Sequence, residues 1–479
     1  MKRIMTLLLA AGIIFSAQQA QAADIKVRGS WDFSFEFLDN VDVQKESDRN
    51  NNQDTFGAKQ RLRTQIDIAA SESLSGTIYF EVGDTVWGQE DGALGTDGVA
   101  LEIKRSYIDW MMPYSNLQIR MGLQGYALPG FVAGSPILDD DAAGITLSYT
   151  FDDMISLTAF WARPYDLNAD FNDNTNAITD NDQYDEMDMF GLIVPINVDG
   201  MKIVPWAMYA SIGESLYGAA DESLTGYNSG SMEAALAGLA PVANASTASY
   251  NLDSTASAWW AGLSYELNLF DPFCFKIDGI YGGVDTGEDA LDRSGWLVIA
   301  ALDYQMDMMT PGIFGWYGSG DDSSTSNGSE MMPYVSPDFG PTSFGMAYYA
   351  SDISTSSVLS MSAAGTWAIG LQLADLTFIE DVSHILRVTY FNGTNDKSAV
   401  KNSSLASDGP AVSGFGIYLT EEDNAIEVNF DTTYQIYENL TMVAELGYID
   451  LNLDSSVWGS GYDSYDNMWK VSFNLQYAF

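Results

Sequence analysis

The stretch MWKVSFNLQYAF, residues 468–479, alternates without a break. Trp469, Val471, Phe473, Leu475, Tyr477 and Phe479 share one parity; Lys470, Ser472, Asn474 and Gln476 share the other. A period of two is the signature of a β-strand whose faces meet different surroundings. The pattern recurs near the start, where Ile25, Val27, Trp31, Phe33, Phe35 and Phe37 alternate with Lys26, Arg28, Ser30, Asp32, Ser34 and Glu36. It recurs again where Ile426, Val428, Phe430, Tyr434 and Ile436 alternate with Glu427, Asn429, Asp431, Thr433 and Gln435. These runs exceed the ~5–6 residues of an ordinary strand and suit the ~9–11 residues that a tilted strand needs to cross a bilayer. In a soluble sandwich the apolar face would pack on a second sheet. In a membrane barrel it would meet lipid while the polar face surrounds water.

The first residues favour the barrel. Lys2 and Arg3 precede an apolar run from Ile4 to Ala17, and Ala20-Gln21-Ala22 fits a cleavage site. Residues 1–22 read as a secretory signal peptide, too short in its apolar part to span a bilayer. The chain of 479 residues holds 20 Lys+Arg against 66 Asp+Glu, a net charge of −46. That acidity argues against a nucleic-acid partner, since phosphate binding needs a basic surplus. A single Cys excludes an intramolecular disulfide framework, and a single His excludes poly-histidine metal sites. With 46% hydrophobic residues the chain is no disordered polyanion.

Connections alternate in length. Short turns fall at 70–73, 113–116, 151–154, 197–200, 270–272, 307–312, 375–383 and 438–440. Long segments rich in acids, Gly, Asn and Ser cover about 39–57, 84–99, 126–143, 164–186, 213–256, 285–294, 319–363, 393–424 and 452–465. Short periplasmic turns on one rim and long extracellular loops on the other are the arrangement of outer-membrane barrels. Nine long loops predict an all-β, transmembrane antiparallel β-barrel of 18 strands. The weakest strand, near Gly312–Tyr317, leaves 16 as the runner-up. Neither a linker nor a composition shift divides residues 23–479, so they read as one barrel domain.

A barrel this wide cannot be filled by its own side chains. The expectation is therefore a water-filled pore, with no enzyme activity and no cofactor. Several scarce cations fall on the polar parity. Lys59, Arg61 and Arg63 form a ladder opposite in phase to Leu62, Thr64, Ile66 and Ile68. A solvated lumen with opposing anions relieves their mutual repulsion. Arg28, Arg120, Lys276, Arg387 and Lys470 are further inward candidates. The phase changes within 101–112, so either Lys104 or Arg105 could face the lumen. In the segment 126–143, Asp139, Asp140 and Asp141 follow the apolar run 128–138. Folded inward, this loop would narrow the pore and set its carboxylates against the basic wall, sorting solutes by charge. Docked outside, it would lie at a subunit interface.

With these features in hand, the sequence resembles the trimeric porins of Gram-negative outer membranes, and more closely the homotrimeric porins of Desulfovibrio-type sulfate reducers. The stretches that carry the resemblance are WDFSFEF, KQRLRTQID, RSYIDW, GSPILDDD and the final MWKVSFNLQYAF. The resemblance implies a homotrimer in the cell outer membrane, in contact with lipid and lipopolysaccharide, passing small hydrophilic solutes and ions by diffusion. It implies Lys59, Arg61, Arg63 and Arg120 as the basic wall of the constriction and Asp139, Asp140 and Asp141 as its acidic side. General porins have 16 strands; a count of 18 resembles sugar-selective porins, for which Tyr79 and Tyr107 are inward aromatic candidates. A barrel that merely anchors adhesive surface loops is the alternative from another class.

Other chemistry is thin. His384 stands at a short turn, and no G-x-S-x-G motif accompanies it. Asp170, Asn172 and Asn174 begin like a calcium loop, but Thr175 stands where Gly is needed and Asn181 where Glu is needed. Cys274 reads as an incidental small residue, and residues 232–245 as a short helix within a loop.

Overall fold

The computed structural model describes residues 23–41, 43, 55–89, 92–98, 101–166, 186–213, 238–244, 254–346, 358–412, 415–462 and 467–479. The signal peptide and most of the calcium-like loop lie outside the described residues, as does half of the segment 232–245, whose described half ends in a 3-10 turn at Val242–Asn244. Among the described residues no helix is long and apolar enough to cross a membrane, a statement that does not bear on strands.

The alternating segments form the staves of one closed antiparallel barrel. They are β1 (Asp24–Asp39), β2 (Thr55–Ser71), β3 (Leu74–Val86), β4 (Leu101–Met111), β5 (Leu117–Ala127) and β6 (Asp139–Thr150). Next come β7 (Ser156–Asp166), β8 (Glu186–Ile193, resumed at Ile196–Val198), β9 (Met201–Ile212), β10 (Ala256–Phe270), β11 (Phe273–Asp285) and β12 (Arg293–Tyr304). The rest are β13 (Thr310–Gly318), β14 (Thr366–Ile379), β15 (Val382–Gly393), β16 (Asn424–Tyr437), β17 (Leu440–Asn452) and β18 (Met468–Ala478). Each hydrogen-bonds to its neighbours in sequence, and β1 pairs with β18 from Ser30↔Ala478 to Asp39↔Trp469. The break in β8 falls at Val194-Pro195, where proline has no N–H for the ladder; both pieces pair with β9. Counted as one stave, it brings the total to the expected 18. Phe479 closes the ring, exchanging backbone hydrogen bonds of 2.9 and 3.0 Å with Gly29. Gly29 is required there, because a Cβ would stand 2.7 Å from the Phe479 ring and press on the Arg63 carbonyl.

Closure leaves no sheet edge, so every stave satisfies its backbone polar groups within the sheet. The outer parity exposes Ile25, Val27, Trp31 and Phe37 on β1 and Trp469, Phe473 and Tyr477 on β18. From β9 to β15 the outer face carries one aromatic per strand towards the long-loop end. Tyr209 lies opposite Trp259, Tyr281 opposite Trp296, and Tyr317 opposite Trp367. Ring pairs Trp259–Tyr281, Trp296–Tyr317 and Trp367–Tyr390 at 5.3, 5.1 and 5.5 Å complete the belt. So large an exposed apolar surface is unsuited to water, and the belt matches the aromatic girdles of barrels in lipid.

The inner face departs from uniform polarity. Between β9 and β13, Trp206, Met208, Trp260, Ile280, Leu297, Ile299, Phe314 and Trp316 are buried on the inward parity. Three of these aromatics occupy space that a Cβ on the adjoining strand would fill: Trp206 at Gly262, Trp260 at Gly282 and Phe314 at Gly370. Loop residues Met331, Met332, Tyr334, Val335 and Phe339 join the same apolar cluster. The long loops thus build a dry core inside one part of the barrel, the hydrophobic effect drawing their apolar side chains onto those of the wall.

Candidate functional site

The other inner wall is charged and half-open. On β2, Lys59, Arg61 and Arg63 stand opposite Ser34, Asp32 and Ser30 of β1, on the inward parity. Each arginine meets a carboxylate one strand away. Arg61 grips Asp84 through Nε and Nη2 at 2.6 and 2.9 Å. Arg63 donates from Nε to Glu81 at 2.6 Å, its direct partner in register. Further round, Arg120 of β5 donates to both oxygens of Asp109 on β4 at 2.9 Å, and its guanidinium lies 4.2 Å from the centroid of the Tyr107 ring. Near the short-turn end, Arg28 approaches Asp67 at 3.4 Å. A ladder of like charges is thereby turned into a ladder of pairs, each with two-point geometry where the arginine fork permits it.

Beside Arg120 the wall opens into a recess of about 220 Å³. Asp109, Gln118 and Arg120 form its charged end, Thr146, Ser148 and Thr158 its hydroxyl floor, and Tyr126, Phe160 and Ile193 its apolar end. Gln118 donates to Asp109 at 3.3 Å, and the hydroxyls of Ser148 and Thr158 stand 3.3 Å apart.

Arg387 and Lys470 also sit on the inward parity, but loop residues cover them. Arg387 pairs with Asp431 at 2.9 Å, and Lys470 pairs with Glu445 at 3.0 Å. Lys470 donates in addition to the Ser343 carbonyl at 2.9 Å, while the Ser343 hydroxyl donates to Asp431 at 3.0 Å. The N–H groups of Phe344 and Gly345 donate to Glu427 at 3.2 and 3.0 Å. Lys276 shares the parity of Asp278 and lies opposite Glu266 in register.

The segment 128–138 leaves the wall between β5 and β6 and reaches β11. Its Phe131 and Val132 N–H groups donate to the Asp278 carboxylate at 2.9 to 3.0 Å. Ser264 of β10 donates to the Pro129 carbonyl at 3.2 Å, and the Lys202 ammonium lies 4.7 Å from the Phe131 ring centroid. Gly134–Ser135 then pairs with Asp338–Phe339 of another loop.

Asp139, Asp140 and Asp141 are not on that segment. They begin β6, in register with Ala127, Tyr126 and Gly125, because β5–β6 pairing continues through Asp139 without a slip. Asp141 meets both Arg105 at 2.7 Å and Lys104 at 3.0 Å. A register shift in the β3–β4 ladder beside Lys104 explains the phase change in β4. Asp139–Asp141 are the first residues of β6, at its long-loop end, and Asp141 shares the parity of exposed Leu147 rather than that of Thr146. Asp140 accepts from Ser336 at 2.8 Å. Among the described residues, the carboxylates that meet Arg61, Arg63 and Arg120 are therefore Asp84, Glu81 and Asp109, not Asp139–Asp141.

Sequence reasoning passed over these three acids, although Glu81 and Asp109 share the parity of Tyr79 and Tyr107. It also passed over Arg163, which holds Asp188 at 2.9 and 2.7 Å and Asp166 at 3.0 Å. His384 bonds Thr432 at 2.8 Å and stacks on Phe430, a packing role. Cys274 is a buried free thiol.

Fold and wall together define a wide antiparallel β-barrel of outer-membrane type with a charged inner face. Solved structures similar to this chain belong to that class. Pseudomonas aeruginosa OpdL matches with a TM-score of 0.53 at 12% identity, covering 95% of this chain and 99% of its own. A BenF-like porin from Pseudomonas fluorescens Pf-5 matches with 0.52 at 9% identity, covering 95% and 98%. The outer membrane protein OprD from Pseudomonas aeruginosa matches with 0.51 at 11% identity, covering 95% and 94%. The likeness is one of fold. No protein-family model matches the sequence, and no curated protein matches it.

Proposed function

We propose that this protein is an outer-membrane porin through which small hydrophilic solutes and ions diffuse passively. The observation that carries the reading is the half-open wall of Arg–carboxylate pairs inside a closed barrel of 18 strands whose outer face is apolar and aromatic. Polar groups lining a water-filled bore need no dry partner, whereas the outer face needs lipid. The structural likeness to OpdL and to the BenF-like porin supports the fold on which the reading rests. In this reading residues 1–22 direct export and are removed, the barrel is trimeric like the porins it resembles in sequence, and lipid and lipopolysaccharide surround it.

In this reading Lys59, Arg61, Arg63 and Arg120 with their acids Asp84, Glu81 and Asp109 form the charged constriction. The segment 128–138 restricts the bore from the opposite side, and Arg105 with Asp139–Asp141 guards the long-loop rim. The apolar core of β9–β13 takes up part of the bore, which favours a small, discriminating pore.

Planar-bilayer recording of the purified protein tests the channel: stepwise conductance supports it, and silence would leave an anchor for surface loops. Replacing Arg61 and Arg63 with Ala tests the wall. Freed Asp84 and Glu81 should raise the K⁺ to Cl⁻ permeability ratio about two- to threefold, since charges within a Debye length of ~8–10 Å act on passing ions. An unchanged reversal potential in a salt gradient would remove these residues from the constriction.

A further inference from the structure

The recess beside Arg120 has a chemistry more specific than that of a wet wall. Its volume of about 220 Å³ is below the ~300–1,000 Å³ of pockets for drug-sized ligands, so its occupant is a small metabolite. Its charged end presents both signs side by side. Arg120 spends two of its five N–H donors on Asp109, and the Asp109 carboxylate keeps acceptor sites beyond those used by Arg120 and Gln118. A solute can therefore add to the pair without breaking it. A bare anion would satisfy Arg120 but lie against Asp109, and a bare cation would do the reverse. A molecule with a carboxylate and an ammonium on one carbon meets both at once. The hydroxyls of Thr146, Ser148 and Thr158 come next, and Phe160 with Ile193 closes the far end in hydrocarbon.

We propose that this recess is a low-affinity site for zwitterionic α-amino acids with short aliphatic side chains. The proposal deepens the porin reading and rests on it for its role in transport, while the binding itself can be measured without any conductance.

Calorimetry on the detergent-solubilised full barrel should show saturable binding of L-valine. Its analogue 2-hydroxy-3-methylbutanoate lacks the ammonium, and isobutylamine lacks the carboxylate; each should bind about fivefold more weakly, the scale of one partly exposed ion pair. Asp109→Asn should erase the advantage of valine over the hydroxy acid, whereas Lys397→Gln, in the connection between β15 and β16 and paired with Glu422, should keep it. Should Asp109→Asn fail to assemble, Phe160→Ala supplies a second reading: the widened apolar end should move preference from valine towards phenylalanine by a few fold. Equal binding of valine and its hydroxy acid would make the recess an anion site and overturn the proposal, as would the lack of any saturable heat. Valine binding by a barrel that conducts no ions would preserve the recess and overturn the porin.

Discussion

Two inner walls of this barrel carry the same pattern and meet different fates. On the β1–β5 wall, Arg120 lies 2.9 Å from Asp109 with its side chain 35% exposed. On the β15–β18 wall, Arg387 lies 2.9 Å from Asp431 with 6% exposed, and Lys470 lies 3.0 Å from Glu445 with none. Strand alternation places all of these residues inward, and register sets each beside an acid. What separates them is the loop that lands on top. Residues 342–346 seal one wall, whereas on the other Arg120 and Asp84 stay about a third exposed and Arg61 and Arg63 less so. The same kind of ion pair is thus partly open to solvent on one side and an internal support on the other.

The energetic contrast is large and gives the most forceful test. An exposed pair contributes about 0–1 kcal/mol, whereas breaking a buried pair costs about 3–5 kcal/mol because it strands a charge away from water. Lys470→Met should therefore destabilise the barrel by about 3–5 kcal/mol in denaturant titration, while Arg120→Met should cost no more than about 1 kcal/mol. Equal costs would mean that the β15–β18 wall is as wet as the other.

Much of this contrast is hidden from sequence for a definite reason. Parity is local, so period two revealed the staves, including the short β13, which forms because β12 and β14 hold it on both sides. Lys59, Arg61, Arg63 and Arg120 were legible in the same way. Their partners were not, since Asp84 and Asp109 require the register between strands. Loop landing is harder still: Phe131 and Asp278 are 147 residues apart, and no pattern along the chain marks their meeting. The inner apolar core was blurred because segments such as MKIVPWAMYASI place apolar residues on both parities. The Asp139–Asp141 run looked like loop by composition, yet the β5 backbone captured it into a strand.

The Asp278 anchor sharpens the comparison from the loop side. Its carboxylate holds two backbone N–H groups of the segment 128–138, and hydrogen bonds to charged acceptors are worth about 1.5–3 kcal/mol. Asp278→Ala should lower stability by about that amount and release the segment from β11. Single-channel current should then become larger or noisier, as the bore gains a region the loop had excluded. A quiet channel of unchanged conductance would show that this segment borders no part of the permeation path.

The smallest expected effect concerns the loop cap, where charge is buried outside the lipid-spanning staves. Asp423 accepts from the Thr420 N–H at 2.7 Å, the Asp454 N–H at 2.8 Å and the Trp458 indole at 3.0 Å. Asp321 accepts from the Tyr418 hydroxyl at 2.7 Å. Burial raises the pKa of both carboxyls above the ordinary value of 3.8, and the hydrogen bonds offset this only in part. The folded cap then binds protons more tightly than the unfolded chain does. Its stability from these groups is full below the unfolded value near 3.8 and is lost as pH rises through the higher folded values. Hydrogen exchange of residues 394–412 and 415–423, corrected for intrinsic rates, should accordingly show stronger protection in mild acid than at neutral pH. Asp423→Asn should flatten that dependence, because an amide keeps the shape without the ionisation. A pH response of the cap that Asp423→Asn leaves unchanged would mean that this buried carboxyl does not help to hold the loop layer together.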